Sequence, residues 1–296
     1  MTDPFAAAHR FLLTEGRLLE RRLFDTVFLG APPTGVADAL RGYANPDGGL
    51  GHGLEPDTCG PASLPIAVEQ GLNAYADAGA DDPELLRRAC DFLAGVSTPD
   101  GAVALAAPVI ERYPRAAHMT DWTYVPGVNP TAGLAGLLHR VGFAHPWRDA
   151  ATAYCWAQLE SGAYPGEAHA LSELFVFLAH VPDRERAESH VAAVAGRLAT
   201  AEMFQADAGA EGYGLTPLAI APAADSPWRR LFTEEQLAGH LDALAAAQQD
   251  DGGWPITWDP PGTASRLAWR GIVTLGALRT LVSYGRLAPP QGFGGA

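Results

Sequence analysis

Lysine is absent from the chain: all 20 basic residues are arginine, against 34 acidic residues, for a formal net charge of −14 over 296 residues. A Schiff-base enzyme or a P-loop phosphate site needs a lysine amine, so neither chemistry is open to this protein. The acidic surplus would repel a phosphate backbone, and no basic run or aromatic-interleaved basic stripe offsets it, which excludes nucleic acid as a partner. Cysteine is scarce. Cys59, Cys90 and Cys155 form no Cys-x-x-Cys pair, which argues against a disulfide framework and against a cysteine-rich zinc site. The segment Met1 to Phe11 lacks a basic region followed by a long apolar run, and no uncharged apolar stretch approaches the roughly 20 residues that span a bilayer. The expectation is a cytoplasmic protein without an integral membrane segment.

Glycine and proline, in contrast, are plentiful at 33 and 24 residues, and the glycines are not randomly placed. Gln248, Gly252 and Trp254 make a Gln-x-x-x-Gly-x-aromatic phrase, and Gln158, Gly162 and Tyr164 repeat its spacing. Looser copies are Gln205 with Gly209, Pro46-Asp47-Gly48-Gly49 and Pro99-Asp100-Gly101. The glycines at 48, 101, 162, 209 and 252 are separated by 53, 61, 47 and 43 residues, a spacing that marks an array of supersecondary units.

Between these turns alanine and leucine recur at three- and four-residue spacing, which predicts helices over 34–45, 61–79, 84–97, 130–142, 147–160, 168–181, 184–203, 234–249 and 263–284. Phe5 to Phe28 reads as one further amphipathic helix, and a short helix near 215–222 brings the number to about eleven. Strand signals are weak, so the fold class is all-α in one domain, 1–296. Each unit reads as helix, glycine turn, loop, helix, with the second helix the more apolar. Two layers with the apolar helices inside close most economically as a toroid of helix hairpins with inner and outer rings. An open solenoid is the rival, but solenoids end in polar caps, whereas the last helix, Leu267 to Tyr284, is among the most apolar.

The phrase Gln248-Gln249-Asp250-Asp251-Gly252-Gly253-Trp254, between an alanine-rich helix and a second helix, resembles the repeat of the terpenoid cyclase and protein prenyltransferase superfamily. The resemblance extends through Asp47-Gly48-Gly49, Asp100-Gly101 and Gln158 to Tyr164. It implies an α-α toroid of about five to six hairpins, in which such repeats tie outer helices to inner ones. Glycine tolerates positive φ at the end of an outer helix, glutamine can bond the loop backbone, and the aromatic plugs the gap between units. These residues therefore read as scaffold.

If each glycine turn leads from an outer helix to an inner one, the following loops open at one end and make a polar mouth. They carry His52, Glu55, Asp57 and Cys59; Arg112, His118, Asp121, Trp122, Tyr124 and Asn129; Glu167 and His169; Glu211 and Tyr213; and Trp258, Asp259 and Arg266. The second loop, about Asp100 to Pro130, is long enough to be functional or lid-like. Protonation-initiated cyclisation needs a carboxylic acid held neutral by burial, an apolar cavity and aromatic faces for carbocations. The superfamily's Asp-x-Asp-Asp acid motif is missing, as is the Asp-Asp-x-x-Asp motif of diphosphate-ionising cyclases, since Asp81-Asp82 is followed by Pro83, Glu84 and Leu85. The candidate acids are thus Asp121, beside Trp122 and Tyr124, followed by Glu55 and Asp57. Fixing a loop is the plainer role for Asp121, and capping the first inner helix is the plainer role for Glu55 and Asp57. The candidate substrate-binding residues are His52, His118, Trp122, Tyr124, Asn129, Tyr213, Trp258, Arg266, Trp269 and Arg270.

Prenyltransferases of the superfamily hold zinc with aspartate, cysteine and histidine, and Asp57-Thr58-Cys59 has the Asp-x-Cys spacing. No histidine opens the helix after the last glycine turn, where the third ligand would lie. No cofactor is assigned on this reading, zinc and magnesium being left open, and Cys59 is expected to be a small buried residue. The leading expectation is a terpenoid-cyclase-like enzyme with an isoprenoid or similar apolar small-molecule substrate in its cavity. The alternatives are a non-catalytic toroid that binds or scaffolds, and a carbohydrate-active toroid that uses paired carboxylates and tryptophans.

Overall fold

The computed structural model describes residues 3–289, and every regular element in that range is helical. The stretch expected as one helix is two, α1 (Pro4–Glu15) and α2 (Leu18–Leu29). The break falls at Gly16, whose backbone is extended and where a Cβ would stand 2.6 Å from the Leu12 carbonyl oxygen. Arg17 then turns its guanidinium to the carbonyls of Gly53 and Leu54 and to the carboxylate of Glu20. A lone glycine in a helical pattern is a weak stop signal, and these distant partners of Arg17 are invisible to periodicity.

The chain continues through α3 (Thr34–Arg41), α4 (Pro65–Ala78), α5 (Pro83–Val96), α6 (Val128–Arg140), α7 (Pro146–Ser161), α8 (Ala168–His180), α9 (Arg184–Leu198), α10 (Pro217–Ile220), α11 (Glu234–Ala246) and α12 (Thr263–Ser283). Prolines open α1, α4, α5, α7 and α10, where a missing N–H leaves no bond unmade. At α11 the Thr233 and Gln236 side chains exchange bonds with each other's backbone N–H groups, the capping box that the sequence announces. The helix expected over 184–203 stops at Leu198, and Met203 beyond it takes a left-handed backbone.

Packing orders the helices. α2, α4, α6 and α8 lie side by side in that order, α10 rests on α8, and α12 returns to α1 and α2. Of the other helices, α3 lies on α2 and α4, α7 on α6, α9 on α8, and α11 on α10 and α12. The tightest junction is α6 against α8, where a Cβ on Gly136 would come within 2.7 Å of the Val176 carbonyl oxygen. Leu134, Leu138, Leu171, Leu174 and Phe177 are buried around it, each such side chain contributing about 1.5–3 kcal/mol relative to exposure.

The recurring turn is the same object three times. Gly48, Gly101 and Gly252 all have φ +93°, a conformation that L side chains rarely adopt. Around them the backbone closes identically, Asn45 N–H donating to Gly49, Thr98 to Ala102 and Gln249 to Gly253. Each glycine also abuts the backbone of another helix: Gly48 meets Arg88 of α5, Gly101 meets Ala150 of α7, and Gly252 meets Ala7 of α1. The last turn thereby seats the C-terminal part of the chain on its first helix. Gln248 Nε2 bridges the carbonyls of Pro4 and Gly252, and Trp254 is buried with its indole N–H on the Leu244 carbonyl. Arg270 braces the turn with a two-pronged bond to Asp251 and a third to the Trp254 carbonyl. In the fourth turn the left-handed residue is Gly212 rather than Gly209, and Gln205 donates to the carbonyls of Glu211 and Gly212.

Candidate functional site

The loop between α3 and α4 is stitched to the long loop that precedes α6. Cys59 N–H donates to the Pro114 carbonyl and Ala116 N–H to the Asp57 carbonyl. This seats Asp57, 4% exposed, with Oδ2 3.4 Å from His118 Nε2 and Oδ1 buried without a hydrogen-bond partner. Glu55, 2% exposed, accepts from Thr58 Oγ1 at 3.3 Å. Burial first, and then the charge of Asp57, push the Glu55 carboxyl up to about 8 against the opposing pull of Thr58 and Arg17. It is a protonated acid at neutral pH.

A second unit is built on the start of α8. Glu167 caps the helix, accepting from the backbone N–H groups of His169 and Ala170, and its Oε2 lies 3.1 Å from His169 Nδ1. Burial works against the charge, but these hydrogen bonds, led by that of the His169 side chain, hold the carboxyl below its usual range. The other imidazole nitrogen, Nε2, is 2.6 Å from the Tyr213 hydroxyl. A carboxylate at Nδ1 favours the tautomer protonated there, which leaves Nε2 to accept from Tyr213. Burial, followed by the charges of Asp57 and Glu167, pushes the tyrosine up to about 12.

Aromatic rings join this unit to α12. Tyr213 meets Trp258 edge to face at 5.4 Å, and Trp258 meets Trp269 in the same way at 5.1 Å. Both indole N–H groups are buried without a partner. Cys59 Sγ, 3.3 Å from Ser265 Oγ, links the first loop to the start of the same helix. The loops before α4, α6, α8 and α12, together with the loop carrying Tyr213, therefore share one end of the molecule.

Further down, Glu69 of α4 and Glu173 of α8 meet over Gly133 of α6, where an added Cβ would collide with Glu173 Oε2 and Glu69 Oε1. Burial and then Glu173 raise Glu69 well above the carboxylate range, and burial raises Glu173 to about 7. Two carboxyl oxygens in contact require a proton between them, so the pair is protonated at neutral pH. Glu173 follows His169 by one turn of α8, which places the pair below the imidazole. Between α2, α4 and α12 lies a cavity of about 140 Å³ lined by Arg17, Glu20, Gln70, Asn73, Asp77 and Arg279 beside Leu19, Leu23, Leu54, Ile272 and Leu275. Its charges are paired, Arg17 with Glu20 at 2.6 Å and Asp77 with Arg140 and Arg279.

The site residues expected from sequence divide cleanly. Glu55, Asp57, His118, Tyr213, Trp258 and Trp269 come together as described. Asp121 is exposed at the start of a single 3-10 turn, Asp121–Tyr124, and its neighbour Trp122 is 55% exposed, so the burial that keeps an acid neutral is found at Glu55 instead. Tyr124 donates to Glu111, His52 is exposed with Nε2 3.0 Å from Asn45 Oδ1, and Asn129 is half-buried in the first turn of α6. Arg266 pairs with exposed Asp259, and Arg270 belongs to the scaffold of the last turn. Cys59 is exposed, contrary to the expectation of burial, because its neighbours Asp57 and Thr58 take the inward positions. Glu69, Glu173 and Gly133 lie outside the set expected from sequence. Glu173 is the single carboxylate of an otherwise largely apolar α8, but α4 carries Asp77 as well as Glu69, so the sequence does not single out the pair. Among the described residues no group of three or more His, Cys, Asp or Glu side chains is arranged to hold a metal ion. No helix among them is long and apolar enough to cross a membrane.

No family model matches the chain, and no curated protein matches it. Among solved structures, the crystal structure of a protein from Actinoplanes aligns with a TM-score of 0.56 and 20% sequence identity, covering 95% of this chain and 100% of that one. At that identity the likeness concerns the fold alone, which is all-α.

Proposed function

We propose that the helices close as an α-α toroid and that its polar mouth is the site of an acid–base enzyme acting on a small hydroxylated substrate of carbohydrate type. The closure is supported by the neighbour order α12, α2, α4, α6, α8, α10 and by the seating of the Gly252 turn on α1. One observation carries the functional reading: the Asp57–His118 pair and the Glu167–His169–Tyr213 chain meet the Trp258–Trp269 pair at one end. Carboxylates accept from hydroxyl groups, unpartnered indole N–H groups donate to them, and ring faces stack on the C–H face of a sugar. Glu55 supplies a neutral acid, and Tyr213, backed by His169 and Glu167, supplies a group that gives and takes a proton.

A second reading, isoprenoid cyclisation, is favoured by an aromatic row and a buried neutral acid, Glu55, at one end of the molecule. The charged lining of the cavity between α2, α4 and α12 counts against it, because a hydrocarbon gains nothing from Arg17, Glu20, Asp77 and Arg279. Incubation with mono- and disaccharides, aryl glycosides and, separately, linear prenyl diphosphates and polyprenols decides between them. Saccharide binding that quenches tryptophan emission in the native protein but not in Trp258→Phe, with turnover detected by NMR, supports the first. Cyclised hydrocarbon products without saccharide binding would overturn it in favour of the second.

A further inference from the structure

We propose that the ligand of the mouth carries a cationic amine whose ammonium group donates to Asp57 Oδ1. This deepens the reading above and rests on the mouth being a binding site. Asp57 is more than nine-tenths buried, and its Oδ1 has no donor within the protein, a deficiency that costs about 1–3 kcal/mol until something donates to it. Its other oxygen faces His118. Three arginines of this end have partners elsewhere: Arg17 with Glu20 and two carbonyls, Arg115 with the Met119 carbonyl, and Arg266 with Asp259.

The Tyr213 and Trp258 rings lie at the same end of the molecule, and a cation held over an aromatic face gains about 0.5–2 kcal/mol. Glu55 faces Asp57 and Thr58 from its own loop and Arg17 from the link between α1 and α2, and it holds its proton because that single guanidinium does not offset burial and the Asp57 charge. An ammonium group at Asp57 supplies the missing positive charge, so Glu55 gives up its proton more easily once the amine is bound. A neutral polyol at the same place has no such effect.

The test uses matched pairs on the full-length protein, glucosamine with glucose and benzylamine with benzyl alcohol, titrated calorimetrically near pH 7 in two buffers of different ionisation enthalpy. The amine of each pair is expected to bind at least tenfold more tightly, and benzylamine, which is fully protonated at this pH, to release a fraction of a proton, whereas benzyl alcohol releases none. Asp57→Asn brings the two affinities to parity, and Asp57→Glu keeps the preference. Equal affinities in the native protein, no proton release with benzylamine, or a preference that survives Asp57→Asn overturns the proposal. Should Asp57→Asn fail to fold, the native pairs and the proton count decide alone. Equal binding that still quenches Trp258 leaves the polar-substrate reading standing without the amine, and binding by neither member of any pair removes both.

Discussion

Glu69 and Glu173 touch across Gly133 of α6, which has no side chain to keep them apart. The pair explains a glycine that the helix itself disfavours by roughly 1 kcal/mol relative to alanine. It also makes folding depend on pH. A carboxyl raised from 4.5 to about 7 binds its proton more tightly in the folded state, so its contribution to stability is complete below the unfolded value and is lost as pH rises to the folded value.

Chemical denaturation of the native protein is therefore expected to show stability falling from pH 4.5 upward, the contribution of Glu173 being lost by about pH 7. The part assigned to Glu173 is on the order of 3 kcal/mol, from the size of the shift. Glu173→Gln, which supplies a permanent donor in place of the shared proton, flattens that slope. Gly133→Ala drives the carboxyl ends apart and flattens it too. A slope unchanged in both variants means that the carboxyls do not share a proton.

Gly252 and Gly196 make opposite predictions for one substitution. Gly252 has φ +93° and lies against the Ala7 backbone, so Gly252→Ala combines backbone strain with a collision and is expected to destabilise by at least about 1–3 kcal/mol. Gly196 sits in α9 with nothing within 4 Å of an added Cβ, so Gly196→Ala is expected to stabilise by about 0.5–1 kcal/mol. Thermal melts of the two variants check both signs, and a neutral Gly252→Ala would deny the turn its role in joining α12 to α1.

The Gly252 turn is legible in the amino-acid sequence because its demand is local: a left-handed glycine beside an aspartate leaves the same short phrase wherever it recurs. The fourth copy misleads for the same reason. Asp207 accepts from Gly209 N–H and so imitates the phrase, while the left-handed glycine is Gly212. Asp57, His118, Tyr213 and Trp258 are legible because loops following equivalent turns emerge at one end. Asp121 stands next to Trp122 in sequence, yet adjacency in a loop carries no information about burial, and both face solvent. Glu69 and Glu173 lie beyond the reach of sequence because their meeting depends on three helices and on an atom that Gly133 lacks.

The Glu167–His169–Tyr213 chain predicts a graded series. Tyr213→Phe removes the group that exchanges the proton while keeping its ring on Trp258, and it should lower turnover about 100-fold or more with little change in ligand affinity. Glu167→Gln leaves the hydroxyl in place but removes the carboxylate that orients His169. It should lower turnover less than Tyr213→Phe does, because the hydroxyl that exchanges the proton stays in place. Turnover in Glu167→Gln equal to that of the native protein would disconnect the chain.

Cys59 offers a reporter that needs no substrate in hand. It is the exposed thiol of the three, whereas Cys90 and Cys155 are buried, and burial raises both thiols, that of Cys90 to about 12. A neutral alkylating reagent near pH 8 should therefore add one adduct to the folded protein, mapped to Cys59 by peptide mass spectrometry, and three after denaturation. Because Cys59 Sγ lies 3.3 Å from Ser265 Oγ at the start of α12, and two residues from Asp57, a ligand seated in the mouth should slow the reaction. The dependence of that slowing on ligand concentration gives a dissociation constant without any assay of turnover. Rapid labelling of Cys90 or Cys155 in the folded state contradicts the packing of α5 or α7, and a Cys59 rate unaffected by a saturating ligand places that ligand elsewhere.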